Sequence, residues 1–388
     1  MYTFIGGLIL LLVGYLTYGT FVERTFGIKE RPTPAYTSSD GVDYVPMNSA
    51  KNSLIQLLNI AGVGPIFGPI MGALYGPVAF LWIVFGAILA GGVHDYLTGM
   101  ISIRNRGAHL PELAEKFLGR AMRHIVNLFA LLLLVLVGTV FVSAPGSLLY
   151  NLFDQKVALV IILAVIFIYY ILATLLPIDK IIGRFYPIFG ALLVLSALGI
   201  GVGLFLTGHA AAIPELTLKN LHPSGLAVFP LLFLTISCGA LSGFHATQSP
   251  IISRTTQNER DGRKIFYGMM IAEGVIAMIW AAAAMSLFYD PAVPFGTKLA
   301  EILSEGGPAL VVSRVSTTML GAVGGTIAIL GVIILPITSG DTAFRSARMS
   351  IADYFKIGQS KVANRLMIAL PMFAISAVLL QMDFDEFR

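Results

Sequence analysis

Long apolar runs recur along the whole chain, and each is long enough to cross a lipid bilayer. A membrane-spanning helix needs about 20 consecutive apolar residues. Only 12% of the residues here are charged, against about 25% in soluble domains. We interpret ten segments as spans: 2–21, 51–75, 77–103, 120–150, 157–177, 185–207, 226–250, 265–289, 309–336 and 365–381. The sequence therefore predicts an all-α polytopic membrane protein in which residues 1–388 form a single transmembrane domain.

The basic residues of the loops predict how these spans are oriented. Alternate loops hold 20 lysines and arginines, while the loops between them hold only Lys156, Lys219 and Lys298. Loops rich in lysine and arginine stay in the cytoplasm, so the N-terminus is expected outside. This alternation also requires residues 51–75 to cross the membrane once.

Two of the predicted spans are interrupted by small or helix-breaking residues. In the stretch AGVGPIFGP these are Gly62, Gly64, Pro65 and Gly68. In the stretch SCGALSG they are Ser237, Gly239, Ser242 and Gly243. Broken spans are tolerated where they line a cavity, because backbone groups left unpaired there bind substrate or ions. We therefore expect these eight residues to bind substrate, with the unwound segments 62–68 and 237–243 facing each other at mid-membrane.

The two broken spans occupy corresponding positions in two halves of the chain. Four unbroken spans separate them, so the period is five spans, and an odd period reverses the direction of the second half. We expect residues 51–207 to form the first repeat, residues 226–381 the second, inverted repeat, and residues 2–21 an extra N-terminal helix. By this count we expect the last core helix to be missing from this chain, unless the count of spans itself is wrong. Inverted repeats with paired broken helices are typical of secondary transporters.

Ionisable side chains inside membrane spans are costly and usually functional. The candidates are Asp95, His245, Glu273 and Asp341, together with the hydroxyls of Thr338 and Ser339. We expect a proton path, because several isolated titratable groups suit a relay and histidine titrates near neutral pH. A sodium site built from carbonyls and the two hydroxyls is the alternative. Asp341 follows an irregular stretch, LPITSG, so its structural alternative is to cap a helix over 342–355.

Other kinds of site have weaker support in the sequence. His94, Asp95 and His245 are weak candidates for a metal site, since the adjacent His94 and Asp95 point about 100° apart on a helix. Ser242 and His245 suggest an intramembrane hydrolase, but no nucleophile elbow or placed acid accompanies them. The glycine-rich stretch lacks the spacing of a nucleotide-binding loop. We expect no enzyme, cofactor or nucleic-acid partner, and a passive channel stays an alternative.

Five stretches resemble the signature blocks of the carbon starvation (CstA) family. They are, in chain order, DGVDYVPMN (40–48), AGVGPIFGPIMGALYG (61–76), GGVHDY (91–96), CGALSGFHATQSP (238–250) and TSGDTAFRSAR (338–348). The resemblance implies a secondary transporter of the bacterial inner membrane that imports small peptides, or in some branches pyruvate, when carbon is scarce. It also implies the leucine-transporter-like 5+5 fold of the amino-acid/polyamine transporter superfamily, which agrees with the inverted repeat. We expect proton-coupled symport of a small peptide, with pyruvate or another monocarboxylate as the alternative substrate.

Overall fold

The computed structural model describes residues 1–41, 43–153, 156–175 and 178–381, and the chain in these ranges is helical almost throughout. The α-helices are α1 Tyr2–Leu16, α2 Tyr18–Phe26, α3 Pro34–Thr37, α4 Ser49–Ala61, α5 Gly64–Gly72, α6 Val78–Phe85, α7 Gly92–Arg104, α8 Leu110–Leu118, α9 Arg120–Leu152, α10 Leu159–Leu175, α11 Ile178–Leu206, α12 Leu231–Thr235, α13 Ser237–Ala240, α14 His245–Ser253, α15 Gly268–Leu287, α16 Thr297–Phe355 and α17 Val362–Gln381. Short 3-10 or π turns lie at Ala73–Tyr75, Gly86–Gly91, His209–Ala212, Glu259–Asp261 and Arg263–Tyr267. The all-α prediction is confirmed.

Seven helical segments are long and apolar enough to cross a membrane. They are Tyr2–Phe26, Val78–Arg104, Arg120–Tyr150, Arg184–Leu206, Glu259–Leu287, Thr297–Phe355 and Val362–Gln381. Helices α4 and α5 together give an eighth, bent by 47° where they meet. Predicted span 157–177 corresponds to the shorter apolar helix α10, apart from residues 176 and 177, which lie outside the described ranges. Predicted span 226–250 corresponds to α12, α13 and α14. The multi-pass membrane protein is confirmed, and the count of ten crossings stays a prediction.

Helix α16 continues through a stretch where the sequence predicts a break. Its non-helical backbone is confined to three glycines, Gly306, Gly307 and Gly321. The predicted irregular stretch before Asp341 is therefore wrong, and Asp341 lies inside α16 rather than at a helix N-cap. Gly340 serves close packing instead, because a Cβ at this position would overlap the hydroxyl of Tyr170.

Both broken spans pack against the most deeply buried span of the protein. In Glu259–Leu287, 83% of the apolar window is buried inside the protein, against 28% in Tyr2–Phe26. Helix α15 contacts α4, α5 and α13, while α1 lies against α15 and α6. The broken spans are therefore held in the core, with the first helix at the periphery.

Candidate functional site

The first broken span bends over two residues. Helix α4 ends at Ala61, Gly62 has φ +48° and ψ −143°, and α5 begins at Gly64. The unwound segment is shorter than the predicted segment 62–68, because Pro65 lies in the first turn of α5, where a helix loses nothing from a missing N–H. A Cβ on Gly62 would lie 2.5 Å from the ring of Phe141. This position therefore needs glycine for both its conformation and its lack of a side chain.

The second broken span is interrupted twice. One residue separates α12 from α13, and the link 241–244 separates α13 from α14. Ser237 and Gly239 belong to the single helical turn α13, so the unwound part is again shorter than predicted. Ser242 and Gly243 lie in the link. The non-helical backbone of this span is therefore concentrated in this link.

The two broken spans contact each other directly. Gly68 lies against the backbone carbonyl of Thr235, which a Cβ at that position would overlap. A Cβ on Gly239 would lie 2.9 Å from the Cβ of Ala277 on α15 and in ordinary contact, 3.5 Å, with the ring of Pro69, whereas a Cβ on Gly243 would meet no atom within 4 Å. Gly68 therefore allows the two broken spans to approach closely, Gly239 allows α13 to approach α15, and Gly243 borders open space. Substrate binding by the predicted residues stays a prediction.

Asp95, His245 and Glu273 meet in a fully buried cluster. Nδ1 of His245 lies 3.1 Å from Oδ2 of Asp95, and Nε2 of His245 lies 3.8 Å from Oε2 of Glu273. None of the three side chains is exposed to solvent. Three helices supply them, α7, α14 and α15. The structure thus brings together three predicted residues that are distant in the chain, and their role in ion coupling stays a prediction.

His94 extends this cluster toward the solvent. Its Nδ1 atom lies 2.8 Å from Oδ1 of Asp95, and its side chain is 30% exposed. Each oxygen of Asp95 therefore contacts one histidine. Within the described ranges, no group of three or more His, Cys, Asp and Glu side chains is arranged to hold a metal ion. The contacts of His94, Asp95 and His245 are those of a hydrogen-bonded chain of titratable groups.

The unpaired atoms of the cluster indicate its chemistry. Both carboxylate oxygens of Glu273 and Nε2 of His245 lack a hydrogen-bond partner within the part of the chain that the structure describes. A buried ionised carboxylate without donors is costly, and a proton or a cation removes that cost. His245 is the first residue of α14 and directly follows the link 241–244. A change of charge in the cluster therefore acts beside the second break.

A π-helical turn, Gly86–Gly91, lies between the helix that carries Asp95 and the second broken span. It leads directly into α7, which carries Asp95. Gly91 lies against the backbone carbonyl of Ala240, so the π turn contacts the second broken span. The Tyr267 hydroxyl donates a hydrogen bond to the carbonyl of Ile88 at 2.8 Å. Such turns are frequent at functional sites.

Asp341, Thr338 and Ser339 form a second group on α16. The Tyr186 hydroxyl donates to Oδ2 of Asp341 at 2.7 Å, and Oδ1 of Asp341 has no hydrogen-bond partner among the described residues. The Ser339 hydroxyl donates to the Leu58 carbonyl at 2.9 Å, one of the last four carbonyls of α4, which a helix leaves unpaired. The Thr338 hydroxyl donates one turn back within α16. The six predicted coupling residues thus divide into two groups.

Three buried amides are further candidates that the sequence did not single out. Gln56, Asn59 and Gln248 are fully buried. Both amide atoms of Gln56 and Asn59, and Oε1 of Gln248, have no hydrogen-bond partner within the described ranges. Asn52, by contrast, bonds with the backbone and hydroxyl of Thr255. The sequence does contain a signal for two of them, because Asn52, Gln56 and Asn59 are spaced i, i+4 and i+7 and therefore line one face of α4.

The fold is similar to that of MhsT, a transporter with the leucine-transporter fold. The crystal structure of MhsT in complex with L-phenylalanine superimposes with a TM-score of 0.62 at 14% sequence identity. The superposition covers 85% of this chain and 79% of that chain. The leucine-transporter-like fold is therefore confirmed.

Named transporters are among the relatives in sequence. The peptide transporter CstA of Campylobacter jejuni is 27% identical over 350 residues, covering 72% of this chain and 49% of that protein. The pyruvate/proton symporter BtsT of Escherichia coli is 27% identical over 338 residues, covering 70% of this chain and 47% of that protein. The chain thus spans about half the length of these two relatives.

A nearer relative and a family model cover more of the chain. An uncharacterized membrane protein of Haemophilus influenzae is 47% identical over 332 residues, covering 72% of this chain and 90% of that protein. The family model described as carbon starvation protein CstA matches residues 1–155 and 146–305. The family and structural neighbours are transporters rather than enzymes. The chain belongs to the carbon starvation protein CstA family.

Proposed function

We propose that this protein is a secondary active transporter that imports a small peptide across the bacterial inner membrane together with protons. The observation that carries the proposal is the buried Asp95–His245–Glu273 cluster beside a broken membrane span. Ionisable groups at such a place are typical of proton relays. The relatives add support, since one is a peptide transporter and another is a pyruvate/proton symporter.

The proton path runs from His94 to Glu273. His94 is the partly exposed member of the chain, so it exchanges protons with the solvent. Asp95 bridges His94 and His245, and His245 faces Glu273 at 3.8 Å. An imidazole can accept a proton on one nitrogen and release one from the other. Each step of the path is therefore between groups that already face each other.

The substrate site lies between the two breaks. The N-terminal end of α5 is the positive end of its helix dipole, which attracts a carboxylate, and the last carbonyls of α4 attract an amine. The predicted residues contribute their backbone: Gly62, Gly64, Pro65, Gly68, Ser237, Gly239, Ser242 and Gly243. The unpaired amides of Gln56, Asn59 and Gln248 add donors and acceptors suited to a peptide bond.

Two alternatives rest on specific observations. The contact of Ser339 with the Leu58 carbonyl places a hydroxyl at the end of α4, where a sodium ion could replace the proton. Pyruvate is the second candidate substrate, because BtsT is as similar to this chain as the Campylobacter peptide transporter, 27% identical in both cases. A carboxylate is common to both substrates.

The test is uptake by proteoliposomes under an imposed pH gradient, with labelled dipeptides and labelled pyruvate side by side. Accumulation of a dipeptide that collapses with a protonophore supports the proposal. Accumulation of pyruvate alone selects the second candidate, and dependence on a sodium gradient selects the other ion. Equilibration without accumulation contradicts active transport and supports a passive channel.

The variant Glu273→Gln tests whether uphill uptake depends on the Asp95–His245–Glu273 cluster. This variant should fold, bind substrate and fail to accumulate it. Glu305→Gln is the matched control, because the Glu305 side chain is 57% exposed on α16 and outside the cluster. Uphill uptake by Glu273→Gln would remove Glu273 from the mechanism.

We also propose that the N-terminus lies outside, because the loops rich in lysine and arginine are expected in the cytoplasm. Cys238 is the only cysteine of the chain. In a Cys238→Ala background, Lys219→Cys should react with a membrane-impermeant maleimide added to whole cells. Lys361→Cys should react only after the membrane is opened. The reverse pattern would contradict this orientation.

A further inference from the structure

Four buried arginines lie together at the end of the molecule that carries the basic loops. They are Arg254, Arg345, Arg348 and Arg365, each at most 5% exposed. Asp43, which is buried, contacts both Arg345 and Arg348, and Asp353, whose side chain is 32% exposed, pairs with Arg254. One buried carboxylate is thus shared by two buried guanidinium groups, and a buried ion pair with incomplete hydrogen bonding is costly.

The contacts of Asp43 leave two of these arginines without a hydrogen bond to it. Oδ1 of Asp43 lies 3.8 Å from Nη1 of Arg345 and 3.8 Å from Nη2 of Arg348. Both distances exceed that of a hydrogen bond, and Oδ1 has no hydrogen-bond partner within the described ranges. Oδ1 of Asp43 thus faces two guanidinium groups and forms a hydrogen bond with neither of them.

One hydrogen bond from each guanidinium group holds Arg345 and Arg348 in place. Nη2 of Arg345 donates to the Ala173 carbonyl at 2.8 Å, and Nη1 of Arg348 donates to Oε1 of Gln359. Nε and Nη2 of Arg348, and Nε and Nη1 of Arg345, have no acceptor among the described residues. Nε and Nη2 form one edge of a guanidinium, and such an edge binds a carboxylate through two parallel hydrogen bonds. The site is therefore a fixed set of donors whose hydrogen bonds the described residues leave unmade.

We propose that Arg345 and Arg348 form a binding site for a small carboxylate anion, in which Asp43 is the resident competitor. A solute carboxylate on this edge of Arg348 would also face Nη1 of Arg345 and would supply the acceptors that these nitrogens lack among the described residues. A carboxylate fits because the group already lodged between the two arginines is one. Asp43 precedes α4, so its displacement frees the segment that leads into the first broken span. The proposal does not depend on proton-coupled peptide uptake, because anion binding is measured on the resting protein.

Thermal unfolding of the full chain in detergent, with acetate as the probe, tests the site. Sodium chloride is replaced stepwise by sodium acetate at constant ionic strength. We expect a saturable rise in the unfolding midpoint, which Arg348→Gln abolishes. Arg314→Gln is the matched control on α16, because the Arg314 side chain is 46% exposed and pairs with Glu305. This control should keep the full response.

The variant Asp43→Asn should bind acetate more tightly, whereas Arg348→Gln should bind it less. This gain distinguishes an effect on the site from general damage to the fold. Removing the competing carboxylate should lower the half-saturating acetate concentration by about tenfold. Damage to the fold does not increase affinity, so a gain supports the site directly. The proposal is overturned if wild type and Arg348→Gln respond equally, if wild type shows no saturable response, or if Asp43→Asn binds acetate no more tightly.

Discussion

Nδ1 of His245 lies 3.1 Å from Oδ2 of Asp95, and both side chains are fully buried. This contact joins the first turn of α14, just after the second break, to α7, just after the π turn. The two irregular features of this region are thereby connected by one hydrogen bond between titratable groups. A proton gained or lost at this contact changes the charge directly beside the link 241–244.

Asp95→Asn should separate the structural from the coupling role of this contact. Asparagine has one acceptor oxygen and an amide nitrogen that only donates, so one of the two histidines keeps its contact only by accepting from that nitrogen as a neutral imidazole. Removing one member of a buried pair typically costs about 3–5 kcal/mol. We expect a lower unfolding midpoint by fluorescence and no proton-driven accumulation. Unchanged stability together with full uptake would show that the His245 contact is dispensable.

His94→Gln should affect proton supply without affecting substrate binding. Glutamine can still donate a hydrogen bond to Oδ1 of Asp95, so the buried cluster keeps its geometry, but it cannot carry a proton. We expect normal stability, normal exchange of labelled for unlabelled substrate, and slower uptake driven by a pH gradient. The measurement is the ratio of the two rates in the same proteoliposomes. A proportional loss of both rates would argue that His94 acts on substrate binding instead.

Much of this site could be predicted from the sequence, because a carboxylate or histidine inside an apolar run is conspicuous wherever its partners lie. Asp95, His245 and Glu273 were found in this way. The division of the predicted coupling residues into two groups could not be found, since Asp341 bonds with Tyr186, and a tyrosine in a membrane helix carries no comparable signal.

The extent of the breaks could not be predicted either. Glycine and proline mark where a helix can end, but Pro65 is compatible with the first turn of a new helix. Gly68 and Gly340 read as helix breakers in the sequence and serve close packing in the fold. Packing of this kind depends on neighbours such as Thr235 and Tyr170, which become adjacent only when the chain has folded.

The unpaired amides on α4 make a prediction in which stability and function move in opposite directions. Replacing a buried, unpartnered polar group with an apolar group of similar shape removes a desolvation cost of about 1–3 kcal/mol. Asn59→Leu and Gln56→Met should therefore raise the unfolding midpoint without substrate and weaken substrate binding. Asn52→Leu is the contrast, because Asn52 is fully bonded to Thr255 and Met47 and its loss should destabilise. Lower stability in all three variants would mean that the amides are structural.

His109 should make the stability of the protein depend on pH. It lies between α7 and α8, and burial together with the nearby charges of Arg254 and Arg348 holds its pKa well below the ordinary value. The unfolded chain therefore binds a proton as the pH falls through about 6.5, while the native protein does not. Native stability contributed by neutral His109 is present above that pH and is lost below it, by up to about 1.4 kcal/mol per pH unit. Titratable groups elsewhere add their own dependence, so the test is the difference between wild type and His109→Gln. The unfolding midpoint of wild type should fall more steeply from pH 7 to pH 5, and parallel curves would show that His109 is protonated equally in both states.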